Sequence, residues 1–241
     1  MTRWKLTTGL WPNTSLVNER ANTCFFMTHH GLFITFEGID GAGKSTHIET
    51  LARAFEAQGR VVTLTREPGG TPLAEKLRTI VLNDAMDPLT EALLVFAARR
   101  DHLQQRIEPA LARGEVVISD RFTDATLAYQ GGGRGYDWQT LLNLEQLVQQ
   151  IKGPEANFVR QPDVTLWFEL DPEIAAQRLA GARVPDKFEA QSAAFFRRVS
   201  AAYEQRLQAD SSRFARIQAD QTREAVWQDV LQALQHKGWL V

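Results

Sequence analysis

The segment Gly38–Ser45, GIDGAGKS, restricts this chain more than any other, because it satisfies G-x-x-x-x-G-K-[S/T] at every fixed position. Residue frequencies alone produce such a match about once in a hundred chains of this length. Its surroundings tighten the reading. An apolar run, Leu32–Glu37, precedes it, and a stretch of helical periodicity, Lys44–Gln58, follows. A strand that turns through glycines into a helix N-terminus offers backbone N–H groups and a partial positive charge to an anion. Nucleotide phosphates suit that cradle. Gly38, Ile39, Asp40, Gly41, Ala42, Gly43, Lys44, Ser45 and Thr46 are therefore expected to bind ATP. Lys44 would reach the β- and γ-phosphates, and the Ser45 hydroxyl would ligate Mg2+.

The rest of the chain supplies a fold around this loop. Five short β-branched or aromatic runs read as buried parallel strands: Leu32–Glu37, Arg60–Thr65, Glu115–Asp120, Val164–Leu170 and Arg213–Gln218. Helical spacing fills the gaps, at Lys44–Gln58, Leu73–Leu82, Leu89–Arg113, Asp137–Ile151 and Ala190–Gln208, and again at Arg223–His236. Gly59 and Gly114 stand just before strands, where a helix C-terminal glycine belongs. The alternation predicts an α/β, P-loop NTPase fold: a five-stranded parallel sheet with helices on both faces. One core suffices for 241 residues.

Composition excludes more than it identifies. With 27 basic against 29 acidic residues, no general nucleic-acid or polybasic membrane surface is expected. The single cysteine, Cys24, allows neither a disulfide framework nor a thiolate metal site. No apolar run reaches the roughly 18 residues of a membrane span, and the N-terminus lacks a signal-peptide core, so the expected compartment is the cytoplasm. Residues 1–26 show no sustained period. They read either as a tail or as sequence upstream of a start at Met27, the second being favoured, which leaves 27–241 as the catalytic domain. His29 and His30 have no neighbouring ligands to complete a metal site.

Two further segments carry charge to the edge where open α/β sheets bind ligands. The second strand runs into Arg66-Glu67-Pro68-Gly69-Gly70, and the third into Ser119-Asp120-Arg121. Asp120 is placed to hold Mg2+, directly or through water, and Arg121 to bridge donor and acceptor phosphates as a fork. An acceptor phosphate is already anionic near neutral pH, so the reaction calls for cations rather than a strong base.

Three segments, FEGIDGAGKST (Phe36–Thr46), TREPGGTPLAEKLR (Thr65–Arg78) and SDRFTDATLAYQGGGRG (Ser119–Gly135), resemble the thymidylate kinase family. The resemblance runs from about Gly31 to the C-terminus. It implies phosphoryl transfer from ATP to dTMP, giving dTDP and ADP for dTTP synthesis, by a homodimer acting on small-molecule substrates. It also implies residue roles. Asp40 would hold the 3′-hydroxyl of the acceptor, and Arg66 and Arg121 its phosphate. Thr126 and Gln130 would meet thymine and sugar, while Tyr129 would crowd the 2′ position. Phe96, with Val95 as the competing register, would stack on the base, and Arg99 would meet the base edge. Gly41 occupies the loop position where some members carry an arginine. The resemblance therefore points to the type that uses a lid after the fourth strand, about residues 178–189, with Arg183 as the catalytic cation and Arg178 as a second candidate. Lys187 stands where the family often has arginine, and a lysine lacks the bidentate fork. Kinases of other pyrimidine monophosphates, deoxynucleoside kinases and a non-catalytic nucleotide-binding protein remain alternatives. An Arg66→Ala change is expected to raise the KM for dTMP far more than that for ATP.

Overall fold

The computed structural model describes residues 30–153, 155–179, 187–188 and 191–240. The extension 1–26 with Cys24, His29, and the expected lid positions 180–186 and 189, Arg183 among them, lie outside the described residues.

Strand β1 (Leu32–Glu37) is buried along its whole length. Alternate side chains of a strand point to opposite faces: Leu32, Ile34 and Phe36 form an apolar face, and Phe33 shares the other with buried Thr35 and Glu37. Ile34 and Phe36 join the larger core with Leu51 and Phe55, whereas Phe33 joins Leu103, Ile107 and Val117 on the opposite face. Each such fully buried side chain contributes roughly 1.5–3 kcal/mol. After β1 come α1 (Lys44–Ala57), β2 (Val62–Arg66), α2 (Pro72–Asn83) and α3 (Pro88–His102). A π-helical turn, Leu103–Ile107, then leads into α4 (Glu108–Ala112) and β3 (Val116–Asp120). The next elements are α5 (Thr123–Thr126), a second π-helical segment (Leu127–Gly133), α6 (Trp138–Val148), β4 (Gln150–Lys152) and β5 (Asn157–Val159). The chain closes with β6 (Val164–Glu169), α7 (Pro172–Leu179), α8 (Ala193–Ala209), β7 (Phe214–Gln218) and α9 (Arg223–Gln235).

The main sheet has the order β2-β3-β1-β6-β7, with every neighbouring pair parallel. This is the five-stranded parallel sheet expected from the sequence. The chain leaves β1 for one side of the sheet and later returns to the other, so β1 marks the switch point where such sheets bind ligands. Phe36 and Arg66 are both level with Asp120 in the strand register. The phosphate loop, the end of β2 and the end of β3 therefore reach the same edge.

Several local features depart from the sequence reading. The single helix expected over Leu89–Arg113 widens at Leu103–Ile107, where Glu108 N–H donates to Leu103 O, five residues back. Pro109 has no N–H with which to continue the ordinary ladder. The helix expected to reach Ile151 stops at Val148, and β4 and β5 form a separate antiparallel pair. Arg178 belongs to α7 rather than to an irregular lid. The segment carrying Thr126 and Gln130 is π-helical after four α-helical residues. Its glycines admit α8 closely: a Cβ on Gly133 would lie 2.5 Å from the Phe195 ring, and one on Gly132 2.6 Å from Ala202 Cβ. Among the described residues, no helix is long and apolar enough to cross a membrane.

Candidate active site

Two cavities open along the sheet edge, and Asp40 lines both. The first, of about 330 Å³, is bounded by Gly41, Gly43, Lys44, Ser45, Asp120 and Arg178 as well. Its walls follow from backbone conformation. Gly38, Gly41 and Gly43 have φ values of 127°, 84° and 82°, which only glycine adopts readily. Gly38 also lies where a Cβ would meet Phe168 O at 2.4 Å. Lys44 is buried and its Nζ donates to Gly38 O and Ile39 O, each at 3.0 Å. Burial, and then the Arg121 charge, hold its pKa below the ordinary lysine value. Arg178 donates to Ala219 O at 3.1 Å and to Asp220 at 3.3 Å, which fixes it on the rim.

The donor set in this cavity suits a hard cation. Asp120 Oδ1 is buried without a hydrogen-bond partner, and the exposed Ser45 faces the same space. Magnesium binds oxygen ligands and keeps much of its coordination for water and phosphate, so two protein oxygens are an adequate share.

The second cavity, of about 110 Å³, is built from side chains. Arg121 stands at its junction with the first. Its φ is 71°, a left-handed backbone conformation that costs a non-glycine residue about 1–3 kcal/mol. Local bonds hold it there. Arg121 N donates to Phe36 O at 2.9 Å, and Ser119 Oγ donates to Arg121 O at 2.7 Å. The guanidinium then donates to Asp40 Oδ1 at 3.0 Å and to Tyr203 Oη at 3.4 Å, and it lies 4.9 Å from the Tyr129 ring centre. The Tyr203 hydroxyl in turn donates a hydrogen bond to Glu37 Oε2 at 2.8 Å, while Glu37 Oε1 accepts from Phe122 N at 2.7 Å. Glu37 is fully buried, and desolvation, reinforced by Asp124, pushes its pKa up to about 8.

The wall facing Arg121 comes from α3 and the segment after β3. Arg99, 1% exposed, donates to Glu67 Oε2 at 2.7 Å and to Thr126 Oγ1 at 2.7 Å. Burial alone would raise the Glu67 pKa, but Arg99 and His102 outweigh it and hold the carboxyl below its ordinary value. Thr126, Tyr129 and Gln130 line the cavity beside Arg99. The Tyr129 hydroxyl is buried without a hydrogen-bond partner, and burial raises its pKa.

Two expected acceptor residues stand elsewhere. Phe96 is 1% exposed and packs with Ala92, Leu127 and Leu141, its ring 4.9 Å from the Arg99 guanidinium carbon. Val95 takes the position on the cavity wall. Consecutive residues of a helix point about 100° apart, so one register step separates lining the cavity from supporting Arg99 beneath it. Arg66 lines neither cavity. Its side chain is 55% exposed and grips Glu75 through two hydrogen bonds, of 3.2 and 2.9 Å. An arginine that far into solvent pairs with a nearby carboxylate, here in the first turn of α2.

Among the lining residues given no role in the sequence reading, Arg78 and Phe188 stand out. Arg78 reaches the cavity from α2 and donates to Pro68 O at 2.9 Å. Ala74, Arg78 and Val81 fall at i, i+4 and i+7, and Ala74 and Val81 are buried. An arginine on the apolar stripe of an amphipathic helix was the signal available. Phe188 lines the cavity from the far side and meets Tyr129 edge-on, with ring centres 5.8 Å apart. Beside it, Lys187 forms an ion pair with Glu91 at 2.7 Å. Arg183 lies outside the described residues.

Comparison with known proteins adds an independent line. A family model described as thymidylate kinase matches residues 36–230. A thymidylate kinase of Albidiferax ferrireducens is 73% identical over 214 residues, spanning 89% of this chain and 100% of the relative. One of Polaromonas sp. is 65% identical over 223 residues, spanning 88% and 99%. The crystal structure of thymidylate kinase from Ehrlichia chaffeensis superposes with a TM-score of 0.67 at 32% identity, covering 86% of this chain and 99% of that one.

Proposed function

This chain belongs to the thymidylate kinase family, and from that premise we propose how its two cavities divide the reaction. The activity is that of a nucleoside monophosphate kinase: the γ-phosphate of ATP passes to dTMP, giving ADP and dTDP, a step of nucleotide biosynthesis. One observation carries the division. Asp40 and its partner Arg121 stand where a glycine-lined cavity meets a side-chain-lined one.

In this reading the triphosphate lies along Gly38–Thr46. Its oxygens replace the carbonyl partners of Lys44 Nζ, which then follows the β- and γ-phosphates. Ser45 and Asp120 would hold Mg2+, which supplies charge neutralisation between the phosphates when bound. The dTMP phosphate faces Arg121 and Arg78, and Asp40 receives the sugar 3′-hydroxyl. Thr126, Gln130 and Arg99 meet the base edge, with Val95 beneath the ring and Phe96 bracing Arg99. Tyr129 occupies the space a 2′-hydroxyl would need. The attacking phosphate oxygen is already anionic, so these residues position and neutralise and no side chain need act as a strong base. Arg78 and Arg121, the two arginines assigned to the acceptor phosphate, favour a phosphorylated acceptor over a nucleoside. Arg183 and Arg178 are proposed as further cations on the donor side.

The test is coupled ADP release from the full chain with ATP and magnesium, across dTMP, dUMP, dCMP, UMP and thymidine. Preference for dTMP supports the assignments, whereas turnover with thymidine would remove the acceptor-phosphate role from Arg78 and Arg121. A homodimer is also proposed. Leu73 and Ile80 of α2 and Leu89 and Leu93 of α3 are exposed on helices packed together, with Val61 and Leu64 exposed at edge strand β2. Such an apolar patch commonly marks an interface. A monomeric mass by light scattering at micromolar concentration would sink it. The proposed compartment is the cytoplasm, consistent with one cysteine in the chain; cell fractionation decides this.

A further inference from the structure

Glu91 lies one helical turn before Val95 in α3, its side chain only 2% exposed, and the phosphoryl-transfer reading leaves it without a task. Its surroundings are specific. Glu91 Oε1 accepts a hydrogen bond from Gln130 Nε2 at 2.9 Å. Lys187 Nζ stands 2.7 Å from Oε2, and Arg134 Nε 3.5 Å from Oε1. Lys187 is itself anchored, donating to Asp84 O at 3.1 Å and Val81 O at 3.3 Å at the end of α2. The residue after it, Phe188, lines the acceptor cavity.

A side-chain amide has a donor end and an acceptor end, and which end faces a ligand depends on what claims the other. A carboxylate held between two cations only accepts. The NH2 end of Gln130 must therefore face Glu91, and the carbonyl oxygen is left as the acceptor available to the cavity. A base that donates N–H at N3, as thymine and uracil do, complements that oxygen. Cytosine, which accepts at N3, would set two acceptors against each other. We propose that Glu91, held in place by Lys187, is a positioning residue that fixes the amide orientation of Gln130 and so makes the cavity select an N3–H pyrimidine over cytosine.

The inference rests on the reading that Gln130 meets the acceptor base, and its test separates the two. The ratio of kcat/KM for dTMP to that for dCMP is measured in the wild type, Glu91→Gln, Lys187→Met and Gln130→Met. Glu91→Gln lets both amides turn, and the ratio should fall about tenfold, the scale of one mismatched buried hydrogen bond. Most of the change should appear in the KM for dCMP, and the KM for ATP should stay within about twofold. Lys187→Met, which leaves the carboxylate without its closest cation, should lower the ratio less and in the same direction. Gln130→Met should lower it at least as much as Glu91→Gln. A ratio lost in Gln130→Met but unchanged in Glu91→Gln and Lys187→Met overturns the inference and leaves the Gln130 reading standing. An unchanged ratio in Gln130→Met overturns that reading first. Should Glu91→Gln fail to fold, Lys187→Met decides alone, since a purely structural contact would alter stability without moving the ratio.

Discussion

The two cavities proposed for donor and acceptor nucleotide are built by different means. The donor cavity is almost entirely one run of chain, Gly38–Thr46, with Asp120 and Arg178 added at its rim. Its shape comes from glycine backbone angles, and its one buried cation, Lys44, is tied to carbonyls of the same loop. The acceptor cavity has no such local frame. Arg78 comes from α2, Val95 and Arg99 from α3, Arg121 from the end of β3, and Tyr129 and Gln130 from the segment beyond it. Those side chains are held by one another: Arg99 by Glu67 and Thr126, Arg121 by Asp40 and Tyr203, Gln130 by Glu91. A loop built from backbone accepts any nucleoside triphosphate with little regard for the base. A pocket of mutually bonded side chains can discriminate, because a wrong group leaves a buried partner unsatisfied.

That contrast can be broken most directly at Lys44. If the donor cavity depends on one side chain, Lys44→Met should lower kcat on the order of 10²–10³. The acceptor KM should hardly change. A fall of less than about tenfold would mean the loop backbone carries the phosphates without it. The acceptor cavity is sharpened by a paired comparison. Arg78→Ala should raise the KM for dTMP about tenfold and leave that for ATP alone, as expected for loss of one charge-assisted contact. Arg66→Ala should change either constant by no more than about twofold, because an exposed ion pair contributes little. The reverse ranking would return Arg66 to the role first expected of it and remove Arg78.

The smallest expected effect concerns the support beneath Arg121. Glu37 has its folded pKa pushed up to about 8, above its ordinary 4.5, so the native state keeps a proton that the unfolded chain releases. The stability this proton gives is complete below about pH 4.5 and is lost as pH rises through about 8. Between pH 7 and 8, wild type should lose about 1 kcal/mol relative to Glu37→Gln in denaturant melts. Parallel curves would mean that Glu37 titrates in the ordinary range and that Tyr203 and Arg121 are held some other way.

Much of the fold was readable because its signals are local. The buried strands are short apolar runs, and β1 was placed to the residue. The π-helical turns and the β4–β5 pair escaped because each is short and depends on what packs against it, as α8 does on Gly132 and Gly133. Among site residues, Asp40, Arg99, Arg121, Thr126, Tyr129 and Gln130 were expected at the acceptor and line one cavity. Arg66 and Phe96 were expected there and do not. Both positions turn on side-chain direction: one helical step for Phe96, and a nearer carboxylate, Glu75, for Arg66. Arg78 was visible only as a cation on an apolar helical stripe, and Phe188 only through its ring contact with Tyr129.

The sequence by itself determined the phosphate loop and the five strands of the main sheet, because a phosphate loop and an apolar run are written in consecutive residues. Only the tertiary structure decided which residues line the proposed acceptor cavity. Its members are up to about 150 positions apart, from Asp40 to Phe188, and long-range contacts depend on where each helix and turn finally aims its side chains. Spacing along the chain does not encode that direction. The core that packs Phe96 under Arg99, and the ion pair that brings Lys187 to Glu91, do.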